Sequence, residues 1–476
     1  MIVMKFGGTS VQDAISIRTV CEIIAARADQ NPFIVVSACA GVTSSLMEIA
    51  QLAANDQKIE ALERLSVLRA RHQKNASDLL PDGHTIFTLL KKDFNELRRL
   101  IQGVSALRQL TPRTLDQIAA YGELWSSSLL CLVLKERGLS ARVIDARSVM
   151  VTDENFTSAE PILDLIKKKA REVFSPAIEA GTVVVTQGFI GATEGGITTT
   201  IGRGGSDYTA SIFGAVLDAD EIQIWTDVDG ILTADPSLLP EAQLIKEMTF
   251  NEASELAYFG AKVLHPSTIL PAIKKGIPVR VLNSKRRSND GTLISEGSRT
   301  SSECLLKSIA YKEDITVVTI QSTRMLMNHG FLARVFDTFA RHQKGVDVVA
   351  TSEVGISLTI DNDTRIEPLV SELLKFADVR VEKNKAVVCV VGENLKYTKG
   401  IAARVFTALS DAGVNIELIS HGGSEINLTF VIDESQIARA VKSLHGEFFS
   451  AVIDETLAIN PDTSYSKNID SPVTFP

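Results

Sequence analysis

The sequence predicts an α/β protein with a mostly parallel sheet, followed by two small ferredoxin-like repeats of βαββαβ order. Three observations carry this prediction. From residue 1 to about 300, apolar runs of strand length alternate with amphipathic helical stretches. Those runs are apolar on consecutive residues, as befits strands covered on both faces. Beyond 300 a segment recurs at an offset of about 70 residues, the mark of a tandem unit.

The strands in order are IVMKF at 2–6, FIVVS at 33–37, ARVID at 141–145, TVVVTQGFIG at 182–191, EIQIWTD at 221–227 and IPVRVLN at 277–283. A helix is expected from about 11 to 28. Between 44 and 137 the chain is rich in Leu, Glu, Lys, Arg, Gln and Ala, with Leu62, Leu65 and Leu68 three residues apart, so this insert reads as mostly helical. In the repeat, GFLARVF at 330–336 matches GIAARVF at 400–406, GVDVV at 345–349 matches GVNIE at 413–417, and ISLT at 356–359 matches INLT at 426–429. A sheet of such units exposes one face, which a neighbouring repeat or a partner chain must cover. The last stretch, 460–476, is polar with two prolines and reads as a tail.

Composition narrows the function classes. With 476 residues the chain exceeds one core of about 150 residues, and 45% hydrophobic residues suffice for packed domains. The 49 basic and 58 acidic side chains leave a net charge of −9 without a long basic run, which argues against nucleic acid and against an anionic membrane surface. Any anionic ligand must therefore meet a local positive site. Five scattered cysteines never form CxxC, so neither a disulfide frame nor a zinc site is indicated, and a reducing compartment is expected. No apolar run approaches the ~20 residues that span a bilayer, and the N-terminus reads as a strand running into a glycine turn, so a cytoplasmic protein is expected.

Four motifs and a few single residues are candidates for chemistry. KFGGTS at 5–10 ends a strand and opens a helix; Gly7 and Gly8 let the backbone approach an anion, and Lys5 adds a charge, although a tight turn would use the same residues. GRGGSDYTA at 202–210 repeats the arrangement with Arg203, suited to bidentate capture of a carboxylate, and with Ser206 and Asp207 expected to cap the helix. TDVDGILTADP at 226–236 lacks the spacing of an EF-hand and reads either as an Asp-capped turn or as a nucleotide or magnesium-phosphate loop. FGAKVLHPST at 259–268 supplies Lys262, which by itself would snorkel to solvent. Ser37, Thr43 and Glu123, taken singly, are caps and a solvated glutamate, and His265 has no ligand spacing and is read as structural.

Taken together and in order, KFGGTSV, SACAGVT, GEL at 122–124, GRGGSDYTA, WTDVDGI, TADP and FGAKVLHPST closely resemble the aspartate kinases of the amino-acid kinase family, over residues 5 to about 460. The repeats resemble their paired ACT domains, and MLMNHGFLARVF with GVDVVATSEVGISLTID resembles the lysine-sensitive, monofunctional class. The resemblance implies a three-layer αβα kinase domain over 1–300, ACT domains over 313–383 and 384–460 with strands exchanged between them, and a tail over 461–476. It also implies phosphoryl transfer from ATP to L-aspartate, with Mg²⁺ carried mainly by ATP rather than by protein ligands. Lys5, Asp207 and Lys262 would be catalytic. Lys5, Gly7, Gly8, Thr226, Asp227, Leu232, Asp235 and Lys262 would bind ATP, and Ser37, Thr43, Glu123, Arg203 and Ser206 would surround aspartate. L-Lysine would bind at Met325, Asn328, Phe331, Leu332, Val346, Asp347, Ser352 and Glu353, in a homodimer formed through the ACT domains or a tetramer built from it. Leu232 and Ser237 stand where relatives commonly carry Tyr and Arg, and Asn328 and Gly345 where they tend to carry serines. Two rivals remain: a family member using another acceptor, and a non-catalytic amino-acid sensor. A dinucleotide enzyme is disfavoured, since no strand-linked GxGxxG is present.

Overall fold

The computed structural model describes residues 1–202, 204–259, 266–297, 306–322, 330–361, 365–421 and 423–457. Arg203, Lys262, His265, Met325, Asn328 and the 461–476 tail lie outside them. The chain divides into two compact units, one of Met1–Pro236, Glu241–Lys312 and Cys389–Glu393, the other of Ser237–Pro240, Glu313–Val388 and Asn394–Pro476.

The first unit begins β1 (Ile2–Phe6), α1 (Ala14–Ala25), β2 (Phe33–Val36). Five helices follow: α2 (Val42–Ala54), α3 (Lys58–Ser77), α4 (Thr85–Leu107), α5 (Pro112–Ala119) and α6 (Tyr121–Glu136). Then come β3 (Ala141–Val143), α7 (Leu163–Val173), α8 (Ser175–Glu179), β4 (Val183–Gln187), β5 (Ile190–Ala192), β6 (Thr198–Thr200) and α9 (Gly205–Val216). It continues through β7 (Glu221–Thr226), β8 (Glu247–Thr249), α10 (Phe250–Tyr258), α11 (Leu270–Lys275), β9 (Val279–Asn283) and β10 (Thr292–Ser295). Eight strands form one sheet in the order β3-β4-β2-β1-β7-β9-β10-β8, with β9 and β10 its antiparallel pair. Parallel registers align the carboxyl ends: Phe6 lies beside Val36 and Trp225, Val36 beside Gln187, and Thr226 beside Asn283. β1 is where the connections reverse direction, with β2 on one side and β7 on the other, the position at which open α/β sheets bind ligands.

Alternation along the strands makes the three layers. Met4, Phe6, Ile34 and Val36 point into a core with Ile17 of α1 and with Trp125, Leu129 and Leu130 of α6. On the other face Phe33 meets Phe213 of α9 and Phe174, with ring centroids 5.8 and 4.9 Å away. Gly214 allows α9 to lie close, because a Cβ there would stand 2.5 Å from Ile222 Cδ1. The continuous apolar stretch Pro112–Glu136, α5 running into α6, is long and apolar enough to cross a bilayer, contrary to the sequence reading; its most apolar window is 78% buried inside the unit, as a core helix would be.

Local differences have local causes. The expected helix 11–28 starts at Ala14, because the Asp13 carboxylate caps it by accepting the Ser16 N–H at 2.8 Å. The single run 182–191 breaks in two at Phe189, whose φ is +65°.

Residues 308 to 457 carry β11 (Ser308–Gln321), α12 (Phe331–Arg341), β12 (Val349–Thr351), β13 (Gly355–Asp361), α13 (Glu367–Leu373) and β14 (Asp378–Val391), then α14 (Ile401–Asp411), β15 (Leu418–His421), β16 (Asn427–Asp433) and α15 (Ile437–Leu457). Their six strands form one sheet, β12-β13-β11-β14-β16-β15. The two central strands are 14 residues each, and β14 serves both as the last strand of the first repeat and the first strand of the second. Val318, Ile320, Val335, Phe339, Leu358 and Leu369 build the core of the first repeat.

Phe213→Ala should remove the ring wedged between Phe33 and Phe174 and cost about 3–5 kcal/mol. Both tryptophans, Trp125 and Trp225, are buried in the first unit, so denaturant unfolding followed by Trp emission isolates the effect. An unchanged midpoint would mean that α9 is not held by this aromatic cluster.

Candidate active site

Along the carboxyl edge of the sheet, the loops after β1 and β2, the cap helices α2, α5 and α6, and the start of α9 enclose a cleft of about 550 Å³. Its lining includes Lys5, Gly8, Ser37, Thr43, Glu123, Ser206 and Asp207, seven of the residues expected from sequence. Lys5, on the penultimate position of β1, is 8% exposed, and its Nζ lies 2.6 Å from Asp207 Oδ1. Asp207 does not cap α9. The helix starts at Gly205 with Gly204 (φ +73°) before it and no side-chain cap, so Ser206 and Asp207 occupy its first turn and face the cleft. Carboxylates are favoured in a first turn by the helix dipole, and here the carboxylate is also held by the lysine.

The glycines are explained by close approach. A Cβ on Gly8 would lie 2.8 Å from Ala38 O, and one on Gly188 would lie 2.6 Å from Ser206 Cβ. Gly7 acts differently from expectation, because its N–H donates to Trp225 O at 3.0 Å and closes the sheet. Arg71 of α3 donates to Ala40 O at 2.9 Å and to Gln12 O at 3.3 Å, so one guanidinium ties the cap to the segments after both β1 and β2.

Glu123 is the largest departure from its single-residue reading. It is 3% exposed rather than solvated. Gly122 lets α6 reach the loop after β2, since a Cβ would stand 2.7 Å from Ala38 Cβ, and Glu123 Oε1 then accepts the Ala38 N–H at 3.1 Å. Oε2 is buried with no partner. Burial pushes its carboxyl up to about 8, against the lowering effect of the Ala38 hydrogen bond.

The remaining nucleotide candidates among the described residues are not in the lining of this cleft. Thr226 ends β7, and its hydroxyl donates to Asp227 Oδ1 at 3.2 Å; Asn283 reaches Asp229 Oδ1 at 2.6 Å, ordering the loop behind it. Leu232 bridges Leu244 and accepts Ser308 Oγ at its carbonyl, and Asp235 Oδ2 accepts the Tyr311 hydroxyl at 3.1 Å. Among the described residues no group of three His, Cys, Asp or Glu side chains is placed to hold a metal ion. In the first repeat, Phe331 and Leu332 open α12, and Val346 and Asp347 precede β12. Ser352 and Glu353 lie in the β12–β13 turn, beside the end of β11, as the pairs Gln321–Gly355 and Thr351–Ile356 place them. Sequence reasoning passed over Asp116, Thr157, Phe189 and Thr200, which also line the cleft. Nothing in their spacing marks them; Asp116 reads as an ordinary helix carboxylate.

The profile of the Amino acid kinase family matches residues 1–283, and an ACT domain profile matches 388–448. Aspartokinase 2, chloroplastic, of Arabidopsis thaliana is 37% identical over 94% of this chain and 84% of its own length. Lysine-sensitive aspartokinase 3 of Escherichia coli is 36% identical over 94% and 99%. The crystal structure of E. coli aspartokinase III in complex with aspartate and ADP (R-state) superposes with TM-score 0.81 at 36% identity, covering 94% of this chain and all of that one. The lysine and aspartate complex of the same enzyme (T-state) gives 0.79. With a kinase-family profile over more than half its length, and aspartokinase relatives aligned along nearly all of it, the chain belongs to the amino acid kinase family and, within it, to the aspartokinases.

Proposed function

We propose that the chain transfers the γ-phosphoryl group of ATP to the side-chain carboxylate of L-aspartate, giving 4-phospho-L-aspartate and ADP. The observation that carries this reading is one cleft holding a buried ammonium, Lys5, at the strand-end glycine loop, and a buried carboxylate, Glu123, with an unpartnered oxygen. The first suits a phosphate, the second an amino acid's ammonium group. Likeness to an enzyme solved with aspartate and ADP supports the pairing.

The chemistry asks little proton transfer of the protein. A substrate carboxylate, with a pKa near 4, is ionised at neutral pH and attacks the γ-phosphorus as the β–γ bridging bond breaks. The obstacle is the approach of an anion to a polyanion, so cations and backbone N–H groups must offset charge spread over the transferring group. Lys5 takes the phosphate side, and the same role is assigned to Lys262; Asp207 keeps the Lys5 ammonium aimed into the cleft. Gly8, Thr226, Asp227, Leu232 and Asp235 are assigned to ATP, and Ser37, Thr43, Arg203 and Ser206 to aspartate. Mg²⁺ is assigned to the triphosphate, which brings its own oxygen ligands, and no protein side chain is given a metal role.

Regulation is proposed at the first repeat. L-Lysine inhibits there, its ammonium paired with Asp347 and its carboxylate near the start of α12, with Val346, Ser352 and Glu353 completing the pocket; the likeness to the E. coli lysine-sensitive enzyme supports this. Among the described residues β12 and β15 are the two edge strands of the six-stranded sheet, the basis for proposing a homodimer through this region. Cys21, Cys39 and Cys131 are buried free thiols, which supports placement in a reducing compartment, the cytoplasm.

Steady-state assays with ATP and competing acceptors test the reaction: aspartate should be phosphorylated in preference to glutamate, and equal or opposite preference contradicts the reading. The Glu123 carboxyl gives a second test. Its folded value is raised, so the stability it lends is complete below about pH 4 and is lost as pH rises through about 8. A substrate ammonium must displace that proton, so at pH 7 aspartate binding should release up to about one proton per site, seen as buffer-dependent heats, and KM for aspartate should fall from pH 6 to 8. Glu123→Gln should flatten both and raise KM roughly ten- to hundredfold. Buffer-independent heats in the wild type would remove Glu123 from the ammonium site. Asp347→Ala should relieve lysine inhibition, a coupling of about 1–3 kcal/mol, without changing uninhibited kcat. Undiminished inhibition in that variant would move the effector elsewhere.

A further inference from the structure

Asp116 is 1% exposed at the cap side of the cleft, and three donors converge on it. Its Oδ2 accepts the N–H of Thr157 at 2.9 Å and of Thr200 at 3.0 Å, and its Oδ1 accepts the Thr200 hydroxyl at 2.7 Å. Thr157 has φ +73°, a strained conformation for a β-branched residue. The turn it forms lies against Gly202, where a Cβ would stand 3.3 Å from Thr157 O and 3.5 Å from Ser158 Oγ, and Ala159 N–H donates to Thr200 O at 2.9 Å. Gly205, beyond residue 203, is braced similarly. The left-handed Phe189 presses on it, with Phe189 N–H held by Thr209 Oγ1 at 3.1 Å and the Thr209 hydroxyl donating to Gly205 O at 2.7 Å.

We propose that Asp116 is a positioning residue for the acceptor side of the cleft: by fixing the strained Thr157 and the end of β6, it sets Gly202 on the cleft wall. The inference rests on the aspartate-kinase reading. The two backbone N–H groups of Thr157 and Thr200 require an acceptor oxygen, and the carboxylate's second oxygen takes the Thr200 hydroxyl, a group that can also accept. Two simpler roles make different predictions. A bare negative charge at the cleft would repel an anionic acceptor, so its removal would lower KM for aspartate. A purely structural residue would lower the folded fraction and leave both KM values unmoved.

The test is steady-state kinetics of Asp116→Ala, Asp116→Asn and Asp116→Ala/Thr157→Gly, with the folded fraction read from Trp emission. Asp116→Ala should raise KM for aspartate about tenfold or more while KM for ATP stays within about threefold. Asp116→Asn should recover most of the loss, because its carbonyl can accept both backbone N–H groups while its amide donates to a rotated Thr200 hydroxyl. Adding Thr157→Gly to Asp116→Ala should recover part, since glycine holds φ +73° without the tether. If Asp116→Ala does not fold, Thr200→Val, which removes the hydroxyl bond alone, should show the same split at roughly two- to fivefold. An unchanged or lowered KM for aspartate, equal rises for both substrates, or no recovery with Thr157→Gly overturns the proposal. A wild type inactive on aspartate overturns the functional reading and this proposal together; an active wild type with unmoved variants overturns this proposal alone.

Discussion

The Lys5–Asp207 ion pair is the constraint on which the cleft depends. An ammonium at the end of a central strand is removed from water, and such a charge is tolerated only when paired and well placed. Its height is set by the register of β1 with β2 and β7, and its partner's place is set by α9, which the Phe33, Phe174 and Phe213 cluster and Gly214 hold against the opposite face of the sheet. Hydrophobic packing on one side of the sheet thus decides where two charges meet at its edge. The cap helices depend on the same edge, because Glu123, Ser126 and Arg71 bind the loops after β1 and β2 through Ala38 N, Ser37 O, Ala40 O and Gln12 O.

Two buried carboxylates on neighbouring cap helices show how burial separates roles. Asp116 has its oxygens occupied by three donors and fixes backbone, whereas Glu123 keeps one oxygen unpartnered beside the cleft. The satisfied group rigidifies a wall; the unsatisfied one is poised for a cation. Burial raises both carboxyls above the usual range, so the titration behaviour alone does not distinguish them and the hydrogen-bond pattern does.

Much of this was legible in the sequence, for identifiable reasons. The central parallel strands are near-continuous apolar runs, and the Lys5 and Gly202–Asp207 motifs sit at strand-to-helix junctions where order in the chain gives order in space. The 70-residue repeat announced two similar units; that strands are shared between them came from the family resemblance and not from the repeat itself, since sharing of β14 depends on pairing partners rather than on composition. Glu123 in a helix gave no sign of burial, because what buries it is the glycine before it and a loop 85 residues upstream. Asp207 followed a general preference for capping in the reading from sequence, yet a lysine 202 positions away outcompetes that local role. The break at Phe189 was hidden because nothing in an apolar run reveals a left-handed residue held by Thr209.

The most direct measurement is kcat of Lys5→Ala with saturating ATP and aspartate, beside the Lys5→Ala/Asp207→Asn double variant, each checked for folding by Trp emission. If the buried ammonium is the preorganised charge that meets the transferring phosphoryl group, kcat falls by about 10² to 10⁴ in the single variant, and the double variant is scarcely worse because the two residues act as a unit. A folded Lys5→Ala enzyme with kcat within a factor of about three of wild type would contradict the account.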